Sequence, residues 1–224
     1  MKCLISDFDG TLYDNNFINN LKSIKEFIDD GNIFVVATGR TFKNIKKKIV
    51  EAGILYNYLI CSDGASIFDS NDNVIYNKYL DNNLKEKLTL RFKNDKRVSL
   101  INYDNNFELN DDVTQDTSRI LIKTYKKTDY IQIIDELKKD YPYLKIYKSP
   151  NWINISIETK DVAITYLEKI IQIDKIYVVG DSYNDIEMIS KYDGYIMANN
   201  TLDNDYNYKR VDTIEKLIDI IKTS

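Results

Sequence analysis

Short apolar runs rich in β-branched residues alternate with amphipathic stretches along this chain, and each run ends in small or charged residues. Residues 3–5, 33–37, 58–61 and 176–179 have the near-continuous apolar character of strands buried on both faces. Between them, residues 18–30 repeat apolar positions at Ile18, Leu21, Ile24, Phe27 and Ile28, then stop at Asp30-Gly31-Asn32. Residues 41–52 and 162–173 carry similar helical patterns. A βαβ series of this kind requires right-handed crossovers. It predicts an α/β fold, a doubly wound parallel sheet of Rossmann-like type, with its ligand crevice beyond the carboxyl ends of the strands.

From about residue 80 to 152 the period changes to two, in segments 97–103, 119–125, 144–147 and 152–157, around helical stretches at 82–94 and 129–140. This pattern predicts an inserted, antiparallel α+β domain at 80–158, flanked by a main domain at 1–79 and 159–224. Residues 78–83 and 157–161 are the candidate hinges, and the polar run 110–116 is the candidate hairpin loop. A last helix over 213–222 places Ile214, Leu217, Ile218 and Ile221 on one face.

Composition narrows the chemistry. A formal charge of -4 and a pI near 5.1 give no basic footprint, so nucleic acid is not an expected partner. No stretch approaches the roughly 20 apolar residues of a membrane span, and the expected location is cytoplasmic. Cys3 and Cys61 fall in predicted buried strands and read as reduced, small apolar residues. The chain has no histidine, so catalysis falls to carboxylates, lysine, hydroxyls and backbone, and any metal site is oxygen-rich, which favours Mg²⁺ over Zn²⁺.

Four segments far apart in sequence end predicted strands or lead into a helix, and should converge in the crevice. The first, Asp7-Phe8-Asp9-Gly10-Thr11, sets two carboxylates on one turn; a fixed D-x-D-G-T arises by chance in about one chain in a thousand. Neither acid can be buried without a counter-charge, a metal or a proton. The second, Thr38-Gly39-Arg40, offers a hydroxyl and a close-approach N–H at a helix start, suited to a phosphate oxygen. The third is Lys160 at the start of a helix, either a cation for phosphate or a solvated lysine. The fourth, Gly180-Asp181-Ser182-Tyr183-Asn184-Asp185, is either part of the site or an ordinary N-cap with an acidic first turn.

In this order the four segments resemble the haloacid dehalogenase-like phosphatase superfamily, whose motifs run D-x-D-x-[TV], a Ser or Thr, a Lys, then G-D-x-x-N-D. The insertion resembles its type IIB cap. Ser6–Leu12, Ala37–Arg40, Lys160 and Gly180–Asp185 resemble the Cof-type branch, as does the stretch Asp193 to Asn200. The resemblance implies a Mg²⁺-dependent phosphatase of a small phosphorylated metabolite, such as a sugar phosphate. It implies Asp7 as nucleophile, forming an aspartyl-phosphate, and Asp9 as the acid and base. Mg²⁺ would be held by Asp7, the Asp9 carbonyl and Asp181, with Asp185 as a further acid. Thr38, Gly39, Lys160 and Asn184 would hold the transferring phosphate.

Several positions depart from the family. Asp161 follows Lys160 where glycine is usual, which leaves the position of Lys160 less fixed than the other motifs. Asp63 stands where asparagine is usual and reads as a turn residue or a contact to a substrate hydroxyl. Arg119, Lys123, Tyr125 and Tyr147 of the insertion could reach a leaving group, but their period-two spacing equally suits plain strand faces, so no role is assigned to them. The same chemistry admits a phosphotransferase or mutase of the phosphomannomutase-like type. A receiver-type phospho-accepting signalling domain fits less well, because of Asp9 and the insertion.

Overall fold

The computed structural model describes residues 1–105, 107–149, 151–199, 202 and 207–224. The chain runs β1 (Lys2–Asp7), α1 (Phe17–Asp29), β2 (Ile33–Ala37), α2 (Phe42–Ala52), β3 (Tyr58–Cys61), β4 (Ser66–Asp69) and β5 (Val74–Asn77). It continues through α3 (Asn82–Asn94), β6 (Val98–Asn105), β7 (Glu108–Asn110), β8 (Thr117–Thr124), α4 (Asp129–Asp140), β9 (Lys145–Ser149) and β10 (Trp152–Ser156). It ends with α5 (Lys160–Ile170), β11 (Lys175–Gly180), α6 (Ile186–Lys191), β12 (Asp193–Met197), β13 (Lys209–Val211) and α7 (Ile214–Thr223).

Eight strands form the main sheet in the order β13-β12-β11-β1-β2-β3-β4-β5, parallel from β13 to β3 and antiparallel from β3 through β4 to β5. After β1 the chain winds outward through β2 and β3, and after β11 it winds the other way through β12 and β13. The reversal between β1 and β11 opens the crevice of a doubly wound sheet. Alternation along β1 explains the two flanking layers: Leu4 packs with residues of α1, α2 and α7, while Cys3 and Ile5 pack with those of α5 and α6. Both cysteines are buried free thiols, and burial pushes the Cys3 thiol up to about 12.

The insertion is a five-stranded antiparallel sheet, β7-β6-β8-β10-β9, with its own core. Ile120, Ile122, Ile153 and Ile155 pack against Leu88 and Phe92 of α3 and Ile133 and Leu137 of α4. The architecture is therefore a doubly wound core with an inserted α+β cap. Among the described residues, no helix is long and apolar enough to cross a membrane.

The expected helices at 82–94 and 129–140 form with those bounds. The hairpin β4–β5 and the strands β7, β12 and β13 appear where no strand was expected. Asn110 closes β7, which shortens the expected loop at 110–116. Asn200, the last residue of the stretch that resembles the family beyond the fourth motif, lies outside the described residues.

Leu88 is fully buried at the centre of the cap core. Leu88→Ala is expected to cost about 2–5 kcal/mol of stability. Urea unfolding followed by tyrosine fluorescence checks this, and an unchanged midpoint would remove α3 from the cap core.

Candidate active site

The four motifs meet in the crevice. Asp7 ends β1 with its side chain buried, and the chain then turns back so that the amides of Leu12 and Tyr13 donate to the carbonyls of Asp7 and Phe8 at 3.2 and 2.8 Å. Gly10 makes this turn possible. Its φ is +82°, and a Cβ there would lie 2.6 Å from Asp181 Oδ2.

Lys160, first residue of α5, is not a solvated lysine. Its side chain is 0% exposed, and Nζ donates to Asp7 Oδ1 at 2.5 Å and to Asp185 Oδ1 at 2.7 Å. Burial alone would lower its pKa, but the Asp185 and Asp7 carboxylates outweigh burial and hold it above the ordinary lysine value.

Asp181 directly follows β11, and Asp185 ends the short 3₁₀ turn Tyr183–Asp185. Asp185 Oδ2 accepts from the backbone amides of Asp181 and Ser182, each at 3.1 Å, so this acid folds back over the strand end. Gly180 leaves the space: a Cβ there would sit 2.3 Å from Asp185 Cγ. Burial, and then the charge of Asp185, push Asp181 up to about 6 against the opposing pull of Lys160. Burial likewise raises Asp7 well above the usual carboxylate range.

Ligand oxygens of Asp7, Asp181 and Asp185 lie within 4.8 Å of one another. Three acids face one ammonium, which leaves negative charge that a divalent cation matches. The donors are all oxygen, and this set fits a hard ion such as Mg²⁺.

Thr38 is buried directly after β2, its Oγ1 accepting from the Arg40 amide at 3.1 Å, and Gly39 lines the same crevice. Asn184 is there too, with Nδ2 donating to Asp63 Oδ1 at 2.8 Å. Asp9 stands apart from the acidic cluster. Its carboxylate is 52% exposed and gripped through both oxygens by Arg40, with Nε donating to Oδ2 at 2.7 Å and a terminal nitrogen to Oδ1 at 2.6 Å.

Sequence reasoning assigned no role to Arg40 and Arg119 of this crevice, and read Asp63 as a turn residue or a contact to a substrate hydroxyl. Arg40 grips Asp9, Arg119 of β8 enters from the cap, and Asp63 is more than a turn residue. Asp63 does sit on a turn at φ +55°, yet its buried carboxylate also accepts from Arg119 at 2.5 Å. Asp104 of β6 takes the other guanidinium nitrogen at 3.2 Å. One signal for Arg119 was available: it is the only charged residue in the run 117–122.

A profile of haloacid dehalogenase-like hydrolases matches residues 4–153 and 91–204. The 5-amino-6-(5-phospho-D-ribitylamino)uracil phosphatase YcsE of Bacillus subtilis is 28% identical over 203 residues, spanning 85% of this chain and 81% of that protein. A HAD/COF-like hydrolase of Plasmodium vivax has the same fold at a TM-score of 0.83 and 19% identity, covering 100% of this chain and 96% of its own. A phosphatase of the same superfamily from Bacteroides thetaiotaomicron superposes at 0.81 and 16% identity, covering 100% and 94%. With its acids at the switch point of the sheet and a cap above them, the chain belongs to the haloacid dehalogenase-like hydrolase family.

Proposed function

We propose that the protein is a Mg²⁺-dependent phosphatase that hydrolyses a small phosphorylated metabolite, a sugar phosphate or related polyol phosphate, through an aspartyl-phosphate on Asp7. The observation that carries this is the buried Asp7–Lys160–Asp185 cluster beside Asp181 at the β1–β11 crevice. The Bacillus subtilis relative bears the name of a phosphatase for a small phosphorylated metabolite, which supports the substrate class.

Lys160 occupies Asp7 Oδ1, which leaves Oδ2 as the attacking atom. As the Oδ2–phosphorus bond forms in line, the phosphorus–oxygen bond of the ester breaks, and the departing alkoxide takes a proton from Asp9. Asp9 must first turn away from Arg40 to do this. Once ionised, it removes a proton from water, whose oxygen attacks phosphorus and frees Asp7 and phosphate. An ammonium has three donors, and Lys160 uses two on carboxylates, so one is left for a phosphoryl oxygen. Thr38, the Gly39 amide and Asn184 would hold the others. Asp7, the Asp9 carbonyl and Asp181 would bind Mg²⁺, and Asp185 keeps Lys160 and the loop in place. The ion would neutralise charge on the nucleophile and the phosphoryl oxygens. The cap is proposed to span 80–158, because Leu80 and Ile157 both belong to its core, with 1–79 and 159–224 forming the rest.

Purified protein is expected to hydrolyse p-nitrophenyl phosphate with Mg²⁺ and to lose this activity with EDTA. Asp7→Asn should lower kcat by about 10⁴-fold or more; wild-type turnover in that variant would remove Asp7 as nucleophile. Lys160→Met leaves two buried carboxylates without their counter-charge, and in EDTA it should cost about 3–5 kcal/mol of stability. Added Mg²⁺ should then raise the melting temperature more in the variant than in wild type. Equal increments would place the ion elsewhere.

A further inference from the structure

The cap sheet has two unlike faces. Alternation sends Ile120, Ile122, Ile153 and Ile155 into the cap core, and sends Arg119, Leu121 and Asn154 to the opposite side. Register places Leu121 beside Asn154 and Asn154 beside Tyr147, so the three form one row across β8, β10 and β9. This row and Arg119 wall a cavity of about 430 Å³ that reaches Asp7 and Asp9.

Two polar atoms of that wall, Arg119 Nε and Tyr147 Oη, are buried without a hydrogen-bond partner among the described residues. A buried orphan of this kind costs about 1–3 kcal/mol, which a fold retains where a ligand completes it. Arg119 itself is 2% exposed and fixed by Asp63 and Asp104, so its guanidinium is pre-set rather than mobile. Neither residue takes part in the phosphoryl transfer described above.

We propose that Arg119 and Tyr147 are specificity-determining residues that read the leaving group of the ester, and that they select a polyhydroxylated one. The reaction they serve rests on the phosphatase proposal. A hydroxyl donates and accepts at once, and this wall offers both partners together: the Arg119 donors, the Asp63 carboxylate, the Asn154 amide and the Tyr147 hydroxyl. Charge argues against a second anion on the leaving group. Arg119 is already matched by two carboxylates, and Arg40 on the core side of the cavity is paired with Asp9.

Tyr147→Phe deletes only the hydroxyl, and Arg119→Lys keeps a cation between Asp63 and Asp104 while removing Nε. With Mg²⁺, kcat/KM is measured for glucose 6-phosphate, ribose 5-phosphate and ribitol 5-phosphate against p-nitrophenyl phosphate, whose ring carries no hydroxyl. Wild type should prefer a polyol phosphate, and each variant should lower that preference about tenfold, chiefly through KM. The assignment is overturned if both variants melt like wild type and keep its preference, or if wild type prefers the aryl ester. Absence of any hydrolysis by wild type would instead defeat the phosphatase proposal. Calorimetric binding of the same polyol phosphates then decides: a Kd weakened about tenfold in both variants supports the wall, and equal affinity or no binding overturns it.

Discussion

A single buried ammonium organises the centre of this molecule. Lys160 lies between Asp7 at the end of β1 and Asp185 beyond β11, and the two strands it ties together are the neighbours at which the sheet reverses its winding. Neither carboxylate could stay ionised there alone, and the lysine would lose its proton in an apolar setting without them. The amides of Asp181 and Ser182 bind the second oxygen of Asp185, so the same charge cluster also fixes the loop that carries Asp181. Folding and chemistry therefore draw on one set of contacts.

The acids of the opening motif part company for the same reason. Asp7 points into the cluster and meets a cation with no freedom to move, which suits a group that must present one oxygen along a fixed line. Asp9 lies half in solvent against Arg40, which is itself partly exposed and also donates to Asn44. An exposed pair is weaker than a buried one, so in the proposed reaction Asp9 would exchange its partner for a substrate oxygen at small cost. The two-residue spacing on one turn thus yields a rigid carboxylate and a movable one.

Much of this was legible in the sequence, because the signals were local. Residues 33–37 and 58–61 are apolar throughout and lie within the sheet as β2 and β3, and the periodic stretches 82–94 and 129–140 are helices with those bounds. What escaped was fixed by distant partners. Lys160 has a cation's poor position at a helix start, and only the arrival of Asp7 and Asp185 from strands far away makes its burial favourable. Strands β12 and β13 carry Asp193, Gly194 and Lys209, which are poor strand formers; β12 pairs along the edge that β11 offers, and β13 along that of β12. Arg119 was discounted on period-two spacing alone, since alternation says which residues share a face but not what that face meets.

The proposed division between a core that performs the reaction and a cap that selects its substrate is not complete, and Asp63 is where it fails. One oxygen of its carboxylate accepts from Arg119 of the cap, and the other accepts from Asn184, which stands with the acids of the core. An asparagine here would keep an acceptor for only one of these partners and bring its own donor toward the other. The carboxylate therefore makes the position of the Asn184 amide depend on a cap arginine. A leaving group that shifts Arg119 would be felt at Asn184 through two hydrogen bonds, without any movement of the strands beneath.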